Sequence, residues 1–79
     1  MRIPRDLTGE ALVKLLKSLG YAVTRQTGSH IRLTTTQNGE HHITIPNHKP
    51  LKIGTLSAIL SEIAAHFNKT KEDLFKELF

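Results

Sequence analysis

Cysteine and tryptophan are absent from these 79 residues, methionine and tyrosine occur once each, and phenylalanine three times. Without cysteine there can be no disulfide staple, thiol catalysis or cysteine-ligated zinc, and a reducing cytoplasmic setting is the expectation. No apolar run approaches the roughly 18 residues of a membrane-crossing helix, so no membrane role is expected. Five glycines and three prolines are too few for a fibrous chain, and 38% hydrophobic residues are too many for a disordered one. The opening Met1-Arg2-Ile3-Pro4-Arg5-Asp6 lacks the apolar segment of an export signal. A chain this short is expected to form one domain, residues 1–79, around one small core.

Charge is unevenly spread. Residues 1–54 hold eight Lys/Arg against three Asp/Glu, whereas residues 55–79 hold three against four. The basic excess of the first two-thirds points to an anionic partner, with nucleic acid foremost, although ordinary solubility charge would look similar.

Periodicity predicts an α+β chain. Thr8 is a suitable N-cap, Leu12, Leu15, Leu16 and Leu19 keep helical spacing, and Gly20 is placed to end a helix over about residues 9–19. From Tyr21 the period becomes two. Tyr21/Val23, Ile31/Leu33 and Ile43/Ile45 mark three short strands, separated by turns at Thr27-Gly28-Ser29 and Gln37-Asn38-Gly39 and stopped by Pro46, which read as an antiparallel meander. Three-residue turns at both places set Val23 opposite Leu33, Gln26 opposite His30, Leu33 opposite Ile43 and Ile31 opposite Ile45. One face then carries Tyr21, Val23, Ile31, Leu33, Ile43 and Ile45. The other carries Thr24, Gln26, His30, Arg32, Thr34, His42 and Thr44.

After a loop over Asn47–Ile53, Gly54-Thr55 opens a second helix with the stripe Leu56, Ile59, Leu60, Ile63 and Phe67. Thr70-Lys71-Glu72-Asp73 has a capping-box pattern for a third, with Leu74, Phe75, Leu78 and Phe79 either completing the core or offering an apolar patch. The expectation is a two-layer sandwich, α-β-β-β-α with an additional C-terminal helix. The four aromatic residues are expected in the core, leaving no stacking platform on the open sheet face.

Five histidines are the residues to weigh for chemistry. His30 follows a Gly-Ser turn and starts a strand on the open face, exposed to a substrate yet held by the sheet, which suits a general acid or base. The competing reading is an uneventful surface histidine. Adjacent strand residues His41 and His42 point to opposite faces, and no carboxylate or cysteine completes a set with His30, His42 and His48, so neither a metal nor another cofactor is expected. The loop His48-Lys49-Pro50-Leu51-Lys52 runs into a helix N-terminus, where free backbone N–H groups and two lysines suit a phosphate, unless these are only solvated loop charges. Arg25 and Arg32 flank His30 and add positive charge.

Arg5-Asp6-Leu7-Thr8-Gly9 before a Leu/Lys helix, then Arg25-Gln26-Thr27-Gly28-Ser29-His30, Ile45-Pro46-Asn47-His48 and Gly54-Thr55-Leu56-Ser57-Ala58-Ile59-Leu60 together resemble the HicA, or YcfA-like, family. The likeness spans about Arg5 to Leu60. It implies a double-stranded-RNA-binding-like fold and a toxin of a type II toxin–antitoxin pair. Such toxins act as ribosome-independent mRNA interferases and are silenced by a HicB antitoxin that covers the active site. The family's single catalytic histidine follows Gly-Ser, which here is His30. Two departures stand out. Ser61 to Lys69 is longer than the family's usual connection to the last helix. Thr55 to Ile63 also lacks the basic cluster that opens the second helix of true double-stranded-RNA binders.

With no metal set, the RNA's own 2′-OH is the expected nucleophile, and His30 takes its proton or supplies the leaving-group proton. Arg32, Arg25 or Lys52 would offset phosphoryl charge. His42, Ser29 and water are all candidates for the second proton transfer. RNA contacts are expected from Arg25, Ser29, Arg32, His48, Lys49 and Lys52. DNA, lacking the 2′-OH, should be neither cut nor bound by the toxin alone. The rivals are a non-catalytic RNA-binding module, an inactive toxin that retains antitoxin binding, and a pure interaction protein.

Overall fold

The computed structural model describes residues 3–79. Met1 and Arg2, which open the N-terminal stretch considered above, lie outside it. The elements run α1 (Gly9–Leu15), a 3-10 turn (Leu16–Leu19), β1 (Ala22–Thr27), β2 (His30–Thr35), β3 (His41–Pro46), α2 (Ile53–His66) and α3 (Lys71–Leu78). The strands form one antiparallel sheet in the order β1-β2-β3, with the helices on one face. The α+β, two-layer α-β-β-β-α-α arrangement is the one periodicity predicts. Among the described residues, no helix is long and apolar enough to cross a membrane.

Local chemistry explains the boundaries. The Thr8 hydroxyl accepts from the Ala11 N–H at 3.1 Å, capping α1. Gly20 takes φ 80°, the left-handed end the sequence calls for. The last turn before it is 3-10 rather than α. The Leu19 carbonyl there accepts from the buried Thr35 hydroxyl at 2.8 Å, which ties the helix end to β2. Thr70 caps α3 by accepting from the Asp73 N–H at 3.0 Å. Helix α2 begins at Ile53, slightly earlier than the pattern suggests, and continues to His66, so most of the long segment after Leu60 is helix.

The core unites both layers. Leu12, Leu16, Leu33, Ile45, Leu56, Leu60, Ile63 and Leu74 are fully buried. Each contributes on the order of 1.5–3 kcal/mol through removal of apolar surface from water. Leu74 and Leu78 dock α3 onto this core, whereas Phe79 is 43% exposed and stacks on Phe75 with ring centroids 4.8 Å apart. Of the four aromatics expected in the core only Tyr21 is fully buried; Phe67 and Phe75 pack half-buried against its margin, and Phe79 falls beyond it because the helix ends there.

The β2–β3 register is as expected, with Ile31 opposite Ile45 and Leu33 opposite Ile43. The β1–β2 pairing is not. Val23 does face Leu33, but a bulge at Thr24 inserts an extra residue, so Gln26 faces Ile31 rather than His30, and Thr27 faces His30 across a tight Gly28-Ser29 turn. Gln26 thereby moves to the helix-covered side. Val23 stays on that side yet is 50% exposed, because β1 is an edge strand and an open groove lies between it and α1.

Candidate functional site

Alternation along β2 decides what the open face presents. Ile31 and Leu33 point into the core, so His30, Arg32 and Thr34 point outward. Register then builds three cross-strand rows. The first is Thr27–His30–Pro46, the second Arg25–Arg32–Thr44, and the third Thr34 beside His42. The bulge at Thr24 places that residue over the third row, where its hydroxyl lies 3.0 Å from that of Thr34. The outward positions expected for His30, Arg32, Thr34, His42 and Thr44 are those observed.

The second row is the unusual one. Arg25 and Arg32 are directly opposed on neighbouring strands, where like charges destabilise a sheet. Among the described residues no carboxylate pairs with either guanidinium. A strand that tolerates this opposition presents two forks of donors suited to a phosphate, one row from His30. His30 is exposed, and among the described residues its ring makes no hydrogen bond or ion pair within the protein.

The third row is different. His42 Nδ1 lies 2.7 Å from the Thr34 hydroxyl and Nε2 lies 3.1 Å from a Glu40 carboxylate oxygen. Four residues of strand separate its row from that of His30, about 13 Å at the usual rise. His42 therefore cannot share a single bond-breaking site with His30. Ser29 is brought close instead. Its carbonyl accepts from the Asn47 N–H at 2.6 Å, which joins the turn before His30 to the exit of β3.

That exit is held from the other side by α1. The Gly9 N–H donates to the His48 carbonyl at 3.0 Å, and a Cβ on Gly9 would sit 2.5 Å from the Pro46 carbonyl oxygen. Only glycine permits this approach, which gives the Thr8-Gly9 pair its purpose. Lys49 and Lys52 follow His48 and are exposed, with the loop pinned by buried Leu51, whose N–H donates to the Leu7 carbonyl at 2.8 Å. Lys52 is the N-cap residue of α2 and supplies no side-chain cap. Of the six expected RNA-contacting residues, Arg25 and Arg32 share the His30 face, and Ser29 and His48 adjoin it through the turn and strand exit. Lys49 and Lys52 lie farther along the loop.

A second histidine cluster lies at the opposite end of the sheet. The His41 and His66 rings stack with centroids 4.5 Å apart. Buried Tyr21 has its hydroxyl 2.7 Å from His41 Nδ1, and Glu62 stands 3.4 Å from Nε2. Burial, with a smaller effect of Glu62, pushes the Tyr21 pKa up to about 12, so the phenol keeps its proton and donates it to Nδ1. Burial first, then the charge of His66, hold His41 below the usual histidine range, against the opposing pull of Glu62. His66 in turn bonds to the Gln37 carbonyl at 2.9 Å, and Asn38 donates to the His66 carbonyl at 2.8 Å. His66 played no part in the sequence argument. Its spacing three residues after Ile63 on the buried stripe of α2 was the available signal. Among the described residues, no three His, Cys, Asp or Glu side chains gather as a metal-ligand set.

Comparison with protein families finds that residues 9–64 match the family described as the HicA toxin of bacterial toxin–antitoxin systems. Searches of characterised proteins and of solved structures give no significant match.

Proposed function

The chain belongs to the HicA toxin family, and from that premise we propose that it is an mRNA interferase, an endoribonuclease that cuts message without metal or ribosome. Family membership makes it the toxin of a toxin–antitoxin pair and implies an antitoxin partner. The nuclease reading rests chiefly on one observation: two opposed, unneutralised arginines stand one row from a histidine that is free to act.

The chemistry follows from those groups. An RNA strand laid on the open face would hold its scissile phosphate near the His30 row, with Arg25 and Arg32 donating to its nonbridging oxygens. The 2′-oxygen attacks phosphorus as the P–O5′ bond breaks, leaving a 2′,3′-cyclic phosphate and a 5′-OH. One proton leaves the 2′-OH and another is delivered to O5′, and His30 carries one of these transfers. The arginines stabilise charge that builds on the phosphoryl oxygens in the transition state. DNA is neither a substrate nor a ligand of the toxin alone. A HicB-like antitoxin would silence the protein by covering this face, and the protein would work in the cytoplasm.

Inducible expression of the wild type and of His30→Ala tests the reading. The wild type should arrest growth and deplete intact mRNA, and the folded variant should do neither. If both folded proteins are harmless and the wild type binds RNA without cutting it, the protein is a passive RNA binder or an inactive toxin.

A further inference from the structure

Cleavage with a 2′-OH nucleophile needs two proton transfers, and His30 accounts for one. His42, bonded on both sides and about 13 Å away along the strands, is out of reach of the other. The β3 exit offers a better-placed group.

Extended geometry does not stop at Pro46. The bond from the Asn47 N–H to the Ser29 carbonyl continues the β2–β3 register by one step, because Ser29 and Asn47 are the next partners after His30 and Pro46. The Pro46 and His48 carbonyls both meet Gly9 at the outer edge, the two-residue repeat of a strand. Asn47 turns its side chain to the helix side, where it lines a groove of about 270 Å³ with Val13, Val23, Gln26 and Ile31, and its buried Oδ1 finds no partner among the described residues. With Asn47 inward, Pro46 and His48 face outward on the same side as His30. His48 is then the diagonal cross-strand neighbour of His30, a relation that puts Cβ atoms about 7–8 Å apart or less. Two imidazoles at that separation can flank one phosphate.

We infer that His48 is the second catalytic residue, so that His30 and His48 form the acid–base pair of the proposed ribonuclease, one taking the 2′-OH proton and the other protonating O5′. The inference rests on the nuclease reading of the same face. Both rings are exposed and, among the described residues, free of side-chain hydrogen bonds, as groups that exchange protons with a substrate must be. Lys49 is next to His48 in the chain, and Arg25 and Arg32 lie on the far side of His30, four residues of strand from His48. Glu10 lines the groove on the other side of the sheet. Lys49 and, beyond His30, the two arginines are the cations this face offers a phosphate.

The test is the pH dependence of RNA cleavage by the purified protein, with His48→Ala and His48→Gln beside the wild type. The wild type should give a bell, rising on the base and falling on the acid. Each His48 variant should lose about 10²–10⁴ in kcat and one limb of the bell, a loss far larger than any in RNA affinity, while melting temperature holds. The backbone carbonyl that receives the Gly9 N–H remains in both variants, so the strand exit is kept. Retention of both limbs, or a rise in KM with kcat unchanged, would overturn the inference and leave His48 as a binding residue only. If the wild type does not cut RNA at all, the nuclease reading itself fails, and the pairing falls with it.

Discussion

Two ends of one sheet treat histidine in opposite ways. At the β2–β3 turn end, His41 and His66 are stacked and bonded to Tyr21, Glu62 and the Gln37 carbonyl, so their hydrogen-bonding capacity goes into joining the turn to the last turn of α2. At the β1–β2 turn end, among the described residues, His30 and His48 have free rings, and no carboxylate neutralises the two arginines one row from His30. The residue type is the same, and only the neighbours differ. A histidine whose nitrogens are satisfied internally serves the fold. One held by its backbone but left unbonded is available to a ligand.

Exchanging the damage between the two ends gives the largest contrast. His30→Ala should lower RNA cleavage by about 10²–10⁴-fold and leave stability within about 0.5 kcal/mol, as for an exposed site. His41→Ala should do the reverse. It strands the hydroxyl of Tyr21, which is 2% exposed, at a cost of about 1–3 kcal/mol, while cleavage below the melting transition is unchanged. Thermal melts and initial rates on the same two preparations decide the matter. A destabilised His30→Ala of unaltered activity would erase the distinction between the ends.

The arginine row sharpens it by a smaller margin. Removing one of two opposed like charges relieves the sheet, so Arg25→Ala and Arg32→Ala should melt no lower than the wild type. Each should nonetheless weaken RNA binding and flatten the dependence of log affinity on log salt by roughly 0.7 for a single strand. Titrations at several salt concentrations measure this. Arginines that serve the fold would instead give lower melting temperatures and an unchanged slope.

Much of this contrast was legible in the residues. Period-two alternation after a Gly-Ser turn places His30 on the open face, and the caps Thr8, Gly20 and Thr70 set helix ends where the structure has them. The bulge at Thr24 was not legible, because no local propensity marks an extra residue on an edge strand, and with it went the positions of Gln26 and the direct opposition of Arg25 and Arg32. The His41–His66 stack was hidden for another reason. It joins residues from β3 and α2 whose meeting depends on how the helix crosses the sheet, which strand and helix periods do not specify. His48 lies between these cases. Its face can be assigned only once Asn47 is seen to turn inward and Gly9 to grip the strand exit.

The smallest expected effect probes the tied end through pH. His41 is held below the usual histidine range in the folded state, chiefly by burial and then by His66, so the fold binds its proton less readily than the unfolded chain does. Above the ordinary histidine pKa of about 6.5, His41 is neutral in both states and its contribution is flat. As pH falls through that value the unfolded chain is protonated first, so stability is lost down to the lowered folded value, below which the loss levels off. The groups that face His41 are Tyr21, Glu62, His66 and the neighbouring His42. Of these, Tyr21 carries the structural consequence, since a protonated Nδ1 can no longer accept from the phenol and the buried hydroxyl loses its acceptor. Melting temperature should therefore drop between pH 7.5 and pH 5, and the drop should shrink in His41→Gln and in His66→Leu, which removes the neighbouring positive charge. An equal drop in all three proteins would mean that the stacked pair is not what acid loosens, and the two ends of the sheet would then differ in bonding but not in their response to protons.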